Sequence, residues 1–278
     1  MTSRIIVNNI QSDTGVSSIT FASPISIDTL NVGTGASISS PSSNVLTLGV
    51  NNTERIRINT TGVGIGTTNT TSFNGACDDI VVSGGTDVGM TFYSTSTTGS
   101  VNIAFTDTVG SNTQGAINYI HNGDYMMFQT NLSERMRIDN SGRVTTPYQP
   151  GFLAAKNNSE QTAAGTIVFN TVSTNGGHNI GNHYSTSTGT FTAPVAGRYL
   201  FMFSIHGTNG TYRVDTRLRV NGVDVPGGCA LNNIDSYTQA TGCAVLNLSA
   251  NDAVTVYNNS GGVWPDAGLT YFSGFLLG

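Results

Sequence analysis

Hydrophobic and polar positions alternate along this chain in short bursts. From residue 1 to about 48 the bursts read RIIVNNI, SSITFA and PISIDTLNV, divided by SDTG and GTGAS. Period-two alternation punctuated by Gly, Ser, Thr and Asp predicts short β-strands joined by tight turns. Residues 49–147 continue in the same way. After TTPYQPG, where Pro147 and Pro150 mark a linker, the strand candidates lengthen and follow in close succession: GFLAAK, GTIVFN, GTFTAP, GRYLFMFSIHG, YRVDTRLRVNG, ATGCAVLNLSAN, DAVTVYNN and TYFSGFLLG. Eight strands separated by turn clusters predict a jelly roll or sandwich with a core of its own. The domain reading is therefore 1–48, 49–147 and 148–278.

An internal repeat organises the middle region. NNTERIRINTTG begins at residue 51, and NLSERMRIDNSG begins at residue 131. Asn51/Asn131, Glu54/Glu134, Arg55/Arg135, Arg57/Arg137, Ile58/Ile138 and Gly62/Gly142 are identical at an offset of eighty. On a regular strand Glu54, Ile56 and Ile58 point one way and Arg55 and Arg57 the other, as do Glu134, Met136 and Ile138 against Arg135 and Arg137. Those arginines either pair with a neighbouring chain's carboxylates or carbonyls, making Glu54, Arg55, Arg57, Glu134, Arg135 and Arg137 inter-chain contacts, or are solvated on an edge strand. The GVGIGTT that follows the first copy contains GxGxG, but no helix pattern succeeds it, so its glycines read as tight β-turns and not as a phosphate loop.

Strands this short carry one or two large apolar residues each. At roughly 25 cal/mol per Å² they cannot offset ordering costs of about 1–2 kcal/mol per residue. Stacking identical chains resolves this, because each strand then finds a partner's apolar face and exposed edges are covered. The first half thus reads as an oligomeric shaft. In GRYLFMFSIHG both faces are apolar, Tyr199, Phe201, Phe203 and Ile205 on one and Leu200 and Met202 on the other. Such a strand is covered twice, by its partner sheet and by a neighbouring subunit. Tyr271, Phe272 and Phe275 join Tyr199, Phe201 and Phe203 as predicted core or trimer-contact residues of the head.

Composition supports an all-β chain. Only 10% of the 278 residues are charged, 34 are Gly, and Lys156 is the single lysine, which leaves little from which to build surface helices. A net charge of -5, with eleven scattered Lys and Arg, argues against nucleic acid as a partner, since duplex binding needs clustered cations. No run of eighteen apolar residues and no signal-peptide h-region occur, so neither membrane insertion nor secretion is expected and the chain is expected to be made in the cytoplasm. Cys77, Cys229 and Cys243 lack CxxC spacing and read as free thiols; Cys229 and Cys243, in neighbouring predicted strands, would be the pair to join under oxidation.

Candidate chemistry is sparse. His121, His178, His183 and His206 are dispersed, and HNIGNH, a His-x4-His pair without a nearby carboxylate, is a weak metal signal. The three Glu residues, Glu54, Glu134 and Glu160, lie in the repeats or in a turn, which does not suit the paired carboxylates of a polysaccharide-cleaving enzyme. Recognition reads better than catalysis. Trp264 lies in NNSGGVWPDAGL beside Asp266, and an aromatic next to hydrogen-bonding groups suits a sugar ring or a protein anchor. Alternatively, Trp264 caps one end of the barrel. The stretch GGCALNNIDSYTQATG adds Asn232, Asn233, Asp235 and Tyr237 as a second polar loop.

At this point a resemblance enters. With GFLAAK, GTIVFNTV, STGTFTAPVAGRYLFMFSI, the RVNG turn, LSANDAVTVY and YFSGFLLG, residues 148–278 resemble the globular head of complement component one q, a jelly roll shared with tumour necrosis factor ligands. The first half is similar to bacteriophage tail fibres of the marine and cyanobacterial type, on ERMRIDNSG, GVGIGTT and the SRIIVNNIQSDTG start. GRVTTP in place of a second GxVGIGT implies that the shaft ends there. Together these imply a trimeric β-rich shaft with a jelly-roll head: a structural protein of the virion, assembled in the host cytoplasm. Its N-terminus would dock to a tail or capsid protein and its head to a host surface glycan or protein. Other readings are a capsid-decorating fibre without a receptor role and an extracellular adhesin-type module. Heads of this family sometimes bind calcium through loop aspartates, which points to Asp235 or Asp266; no other cofactor is implied.

Overall fold

The computed structural model describes residues 29–31, 35–109, 113–172, 176–210, 213–232 and 238–278, apart from the side chains of residues 29–31, Cys229, Leu231 and Asn232. Most of the predicted virion-attachment region, 1–48, lies outside the described residues. Every regular element among them is a β-strand, as the composition required. The chain divides into two units, Met1–Phe92 and Tyr93–Gly278, and each contains one copy of the repeat.

The first unit is one sheet in chain order: β1 (Thr29–Asn31), β2 (Ala36–Ser39), β3 (Leu46–Val50), β4 (Thr53–Ile58), β5 (Val63–Ile65) and β6 (Ile80–Val82). Neighbours are antiparallel except β5 and β6, which run parallel. The second unit opens with another meander of β7 (Ser100–Phe105), β8 (Gly115–Ile120), β9 (Tyr125–Thr130), β10 (Ser133–Ile138) and β11 (Val144–Thr145).

The repeat proves to be a bulged hairpin, β3–β4 in one unit and β9–β10 in the other. Each turn has two residues at positive φ, Asn51 and Asn52 at 51° and 57°, Asn131 and Leu132 at 48° and 61°. That is the twist two-residue hairpins favour, and Asn tolerates it. Beyond the turn, Gly49 pairs with Glu54 and Leu48 with Ile56, so Arg55 is an extra residue. Likewise Gln129 pairs with Glu134 and Phe128 with Met136, which makes Arg135 the extra one.

This bulge overturns the simple alternation expected from the sequence. One additional residue reverses the parity, so Glu54 shares a face with Arg57 and Glu134 with Arg137. Each pair closes a two-pronged ion pair within its own strand: Arg57 Nε and Nη2 each donate to Glu54 at 2.7 Å. Arg137 donates to Glu134 through the same two nitrogens. Arg135 instead donates to Thr130 and lies 4.7 Å over the Tyr148 ring, while Arg55 is exposed. After each hairpin Asn59 or Asp139 turns the chain by accepting backbone N–H groups ahead of it.

The head follows with β12 (Gly151–Ala155), β13 (Gly165–Thr166), β14 (His178–Ile180), β15 (Tyr184–Ser185), β16 (Thr190–Thr192), β17 (Gly197–His206), β18 (Val214–Val220), β19 (Val223–Asn232), β20 (Gln239–Leu248), β21 (Ala253–Ser260) and β22 (Tyr271–Leu276). One sheet has the order β14-β12-β22-β17-β20 and the other β15-β16-β21-β18-β19, with β13 added to β21. Their facing sides form the buried core cluster, which lies wholly within residues 152–272. Tyr199, Phe201, Phe203 and Phe272 are buried in it with Phe152, Phe169 and Phe191. Phe152 stacks on Tyr184 at 4.6 Å and meets Phe272 edge-on at 4.9 Å. Gly274 makes room for these rings: a Cβ there would stand 2.6 Å from Phe201 and 2.7 Å from Phe152.

The structure sorts the aromatic residues expected in the head into two faces. Tyr271 and Phe275 lie on the other side of the first sheet, outside the core. There Phe275, Leu200 and Val245 form a cross-strand row, and Met202 pairs with Cys243 in the next. Val245 is 58% exposed, Met202 38% and Phe275 37%. Cys243 is a free, exposed thiol.

Candidate functional site

The two ends of the head are distinguished by its pairing. At one end the chain arrives: Leu276 N donates to Pro150 O at 3.0 Å, and Arg198 N donates to Gly278 O at 2.9 Å. β17 then runs the length of the sheet and finishes with His206 opposite Gln239, the first residue of β20. The strand ends that flank the β17–β18, β19–β20 and β21–β22 connections therefore all lie at the far end. Trp264 and Asp266 belong to the last of these connections. Asn232 ends β19 at the same place, while Asn233, Asp235 and Tyr237, in the β19–β20 connection, lie outside the described residues.

The Trp264 loop is pinned by its backbone. Val263 exchanges hydrogen bonds with Gln161, and Trp264 N donates to His206 O at 2.7 Å. Thr270, fully buried, accepts from His206 N through its hydroxyl and donates to Trp264 O at 2.9 Å. Asp266 accepts Gly268 N–H at 2.8 Å, and its backbone carbonyl accepts the N–H groups of Leu269 and Thr270. With Val263 buried beneath it, the loop holds its surface in one shape.

What it presents is an indole 38% exposed beside the Asp266 carboxylate. The Asp266 Oδ2 lies 3.8 Å from Nδ1 of the more enclosed His206. An aromatic face flanked by a hydrogen-bond acceptor can stack on a sugar ring or anchor a peptide. Part of the indole is covered and part is open. His206 could not be assigned to this site from sequence, since 58 positions separate it from Trp264; the β17 register brings them together.

The other histidines are elsewhere. His178 lies on β14 with its ring 5.8 Å from Phe275, and His121 packs edge-on against Tyr119 at 5.2 Å. Among the described residues no group of three or more His, Cys, Asp or Glu gathers. Of the two aspartates named in the calcium expectation, Asp266 accepts Gly268 N–H with one oxygen and Asp235 lies outside the described residues. No helix among the described residues is long and apolar enough to cross a membrane, a test that does not bear on β-barrels.

A second charged group covers β18 and β19. Asp215, buried, accepts from Arg217, Arg213 and Asn259, while Asp224 accepts from Arg217 and Arg219 at 2.6 Å. Burial alone would push Asp215 up; the hydrogen bonds from Arg217 and Asn259 and the charges of Arg217 and Arg213 outweigh it and hold the carboxyl below its usual range. Hydrogen bonds from Arg217 and Arg219 hold Asp224 low as well. Arg219 also lies 3.5 Å over the Tyr257 ring. Every charge here is answered by another within the head, so this face is a brace and not an open ion-binding surface.

Two sheets with these strand orders, joined over one core and opening their loops away from the chain's point of arrival, define a jelly roll of the C1q and tumour necrosis factor class. Residues 151–277 match the family model of the C1q domain. Similar solved structures include the globular domain of zebrafish complement 1qA protein, at 21% identity over 47% of this chain and 98% of that one, with a TM-score of 0.34. The Eiger TNF of S. frugiperda is 14% identical over 47% of this chain and 93% of its own, with a TM-score of 0.37. Murine APRIL is 11% identical over 46% and 99%, also at 0.37. Among curated proteins none matches. C1q/TNF-like domains are non-enzymatic binding modules that typically form homotrimers.

Proposed function

We propose that this chain is a structural protein of a virus particle, a trimeric fibre whose C-terminal head recognises and adsorbs to the host cell surface. The observation that carries the reading is the placement of the pinned Trp264 loop, with the facing ends of β19 and β20, at the end of the head remote from where the chain comes in. A fibre tip requires that polarity. The repeated hairpin supports a shaft, and the similarity of ERMRIDNSG and GVGIGTT to phage fibre segments supports the virion assignment.

The ligand class is a host surface glycan or protein, taken by Trp264, Asp266 and, from the neighbouring connection, Asn232, Asn233, Asp235 and Tyr237. Three sites on one tip, with several fibres per particle, raise apparent affinity by roughly 10² to 10⁴ over one weak site. The N-terminal residues would dock to a tail or capsid protein.

The test is gold-labelled antibody against residues 148–278 on intact particles from the source. Label at distal fibre tips is expected, together with blocking of adsorption by the purified protein and loss of that blocking in Trp264→Ala. Label over the capsid would replace this reading with a decorating fibre. Chain recovered from culture medium without particles would replace it with an adhesin.

A further inference from the structure

The β7–β11 sheet has two chemically different faces. On one, Ile103, Ile117, Phe128 and Met136 form a cross-strand row, and Tyr119, Met126 and Ile138 form the next. On the other, Asn102 and Asn118 lead across to Met127 and Arg137, with Gln129 and Glu134 alongside. The bulge at Arg135 creates this separation. Without it, Met136 and Ile138 would turn to the polar side and the Glu134–Arg137 pair would be split.

None of the apolar row belongs to the buried core, which is confined to the head. Ile103 is 43% exposed, and the remaining six side chains of the two rows are partly exposed. A continuous aliphatic and aromatic sheet face without a cover is unusual on a soluble molecule. The two rows themselves carry no charged side chain, Arg135 reaching only Thr130 at their margin, so they offer little to a charged partner, and an identical face satisfies them.

Chain continuity supplies that identical face. β11 ends at Thr145 and β12 begins at Gly151, so heads assembled as trimers hold three copies of this sheet within a few residues of one another. Short tethers of this kind give effective concentrations in the millimolar range.

We infer that the face of the β7–β11 sheet opposite the Glu134–Arg137 ion pair is a seam between copies of this chain, with the ion pair on the other side. The inference rests on the trimeric reading above. It also assigns the inter-chain contact to the apolar residues between the repeat's charges and not to the charges themselves. The first copy is built alike: Leu48, Ile56 and Ile65 form a row, as do Leu46, Ile58 and Val63, opposite Glu54 and Arg57.

Met126 and Met127 are adjacent, on opposite faces, and both half-buried in the single chain. This makes them internal probes. The intact protein, with its native mass measured in the same sample, is exposed to dilute hydrogen peroxide and sulfoxide formation is read at each methionine, with the urea-unfolded chain as reference. Met126 and Met136 are expected to oxidise about tenfold more slowly than Met127. Equal rates at Met126 and Met127 in a sample of three-chain mass would overturn the seam while leaving the trimer standing, as would protection of Met127 with Met126 reactive. A one-chain mass would overturn the trimeric reading itself and the seam with it.

Discussion

Asp215 shows how a single residue can decide the acid stability of the head. It is buried with its charge intact because Arg217, Arg213 and Asn259 reach it, and its carboxyl is held below the ordinary range, as are those of Asp224, Asp139 and Asp252. A carboxyl whose folded pKa is depressed stabilises the fold above its unfolded pKa, near 3.9 for Asp, and that contribution is lost as pH falls through the lower folded value. Urea midpoints are therefore expected to stay level from pH 8 to 5 and to drop below pH 4. Asp215→Asn should lower stability at neutral pH by about 1–3 kcal/mol, because the charge is lost and an amide NH2 then faces donors that had bound an oxygen, and should shrink the difference between neutral and acid pH. Alternation along YRVDTRLRVNG puts Asp215 on the same face as Arg217 and Arg219. Its arginine neighbours on the same strand were visible there, but Asn259 and Asp224 come from other strands and only the fold delivers them.

At the scale of the element, the repeat is informative because its two copies differ at one strained position. Leu132 sits at φ 61°, where the first copy has Asn52 at φ 57°. A non-glycine, non-Asn residue in that region costs about 1–2 kcal/mol, and Leu132 is 54% exposed. Leu132→Asn is expected to stabilise the β9–β10 hairpin by about 1 kcal/mol, seen as a raised unfolding midpoint and slower hydrogen exchange across Tyr125–Ile138. The existence of the hairpin could be anticipated from period-two patterning and from NN. The bulge could not, because an extra residue leaves no compositional mark; it appears only when the partner strand's register is known. Misjudging that one residue displaced Glu54 and Glu134 to the wrong face.

For the whole molecule, the open face of the head's first sheet is the testable surface. Leu200, Val245 and Phe275 lie side by side there, on a domain of a class that typically forms homotrimers. If the proposed trimer is joined through this face, Val245→Glu places a charge in the contact and is expected to shift the native mass from three chains to one. The far-ultraviolet spectrum should be retained, because Val245 takes no part in the core cluster. A variant that remained three chains would place the contact elsewhere.

The all-β class, eight of the head's strands and the aromatic core of β17 followed from the chain alone, whereas β19, whose end reads in the sequence as a polar loop, did not. Alternation, turn residues and the scarcity of helix formers are local properties, written wherever the strand is. The meeting of Trp264 with His206, the gathering of loops at one end, the split of Tyr271 and Phe275 from Phe272, and the side on which each repeat shows its ion pair were decided by tertiary structure. Each of these depends on which strand lies beside which and in what register, and register is set by the packing of the whole sheet and not by any one segment of it.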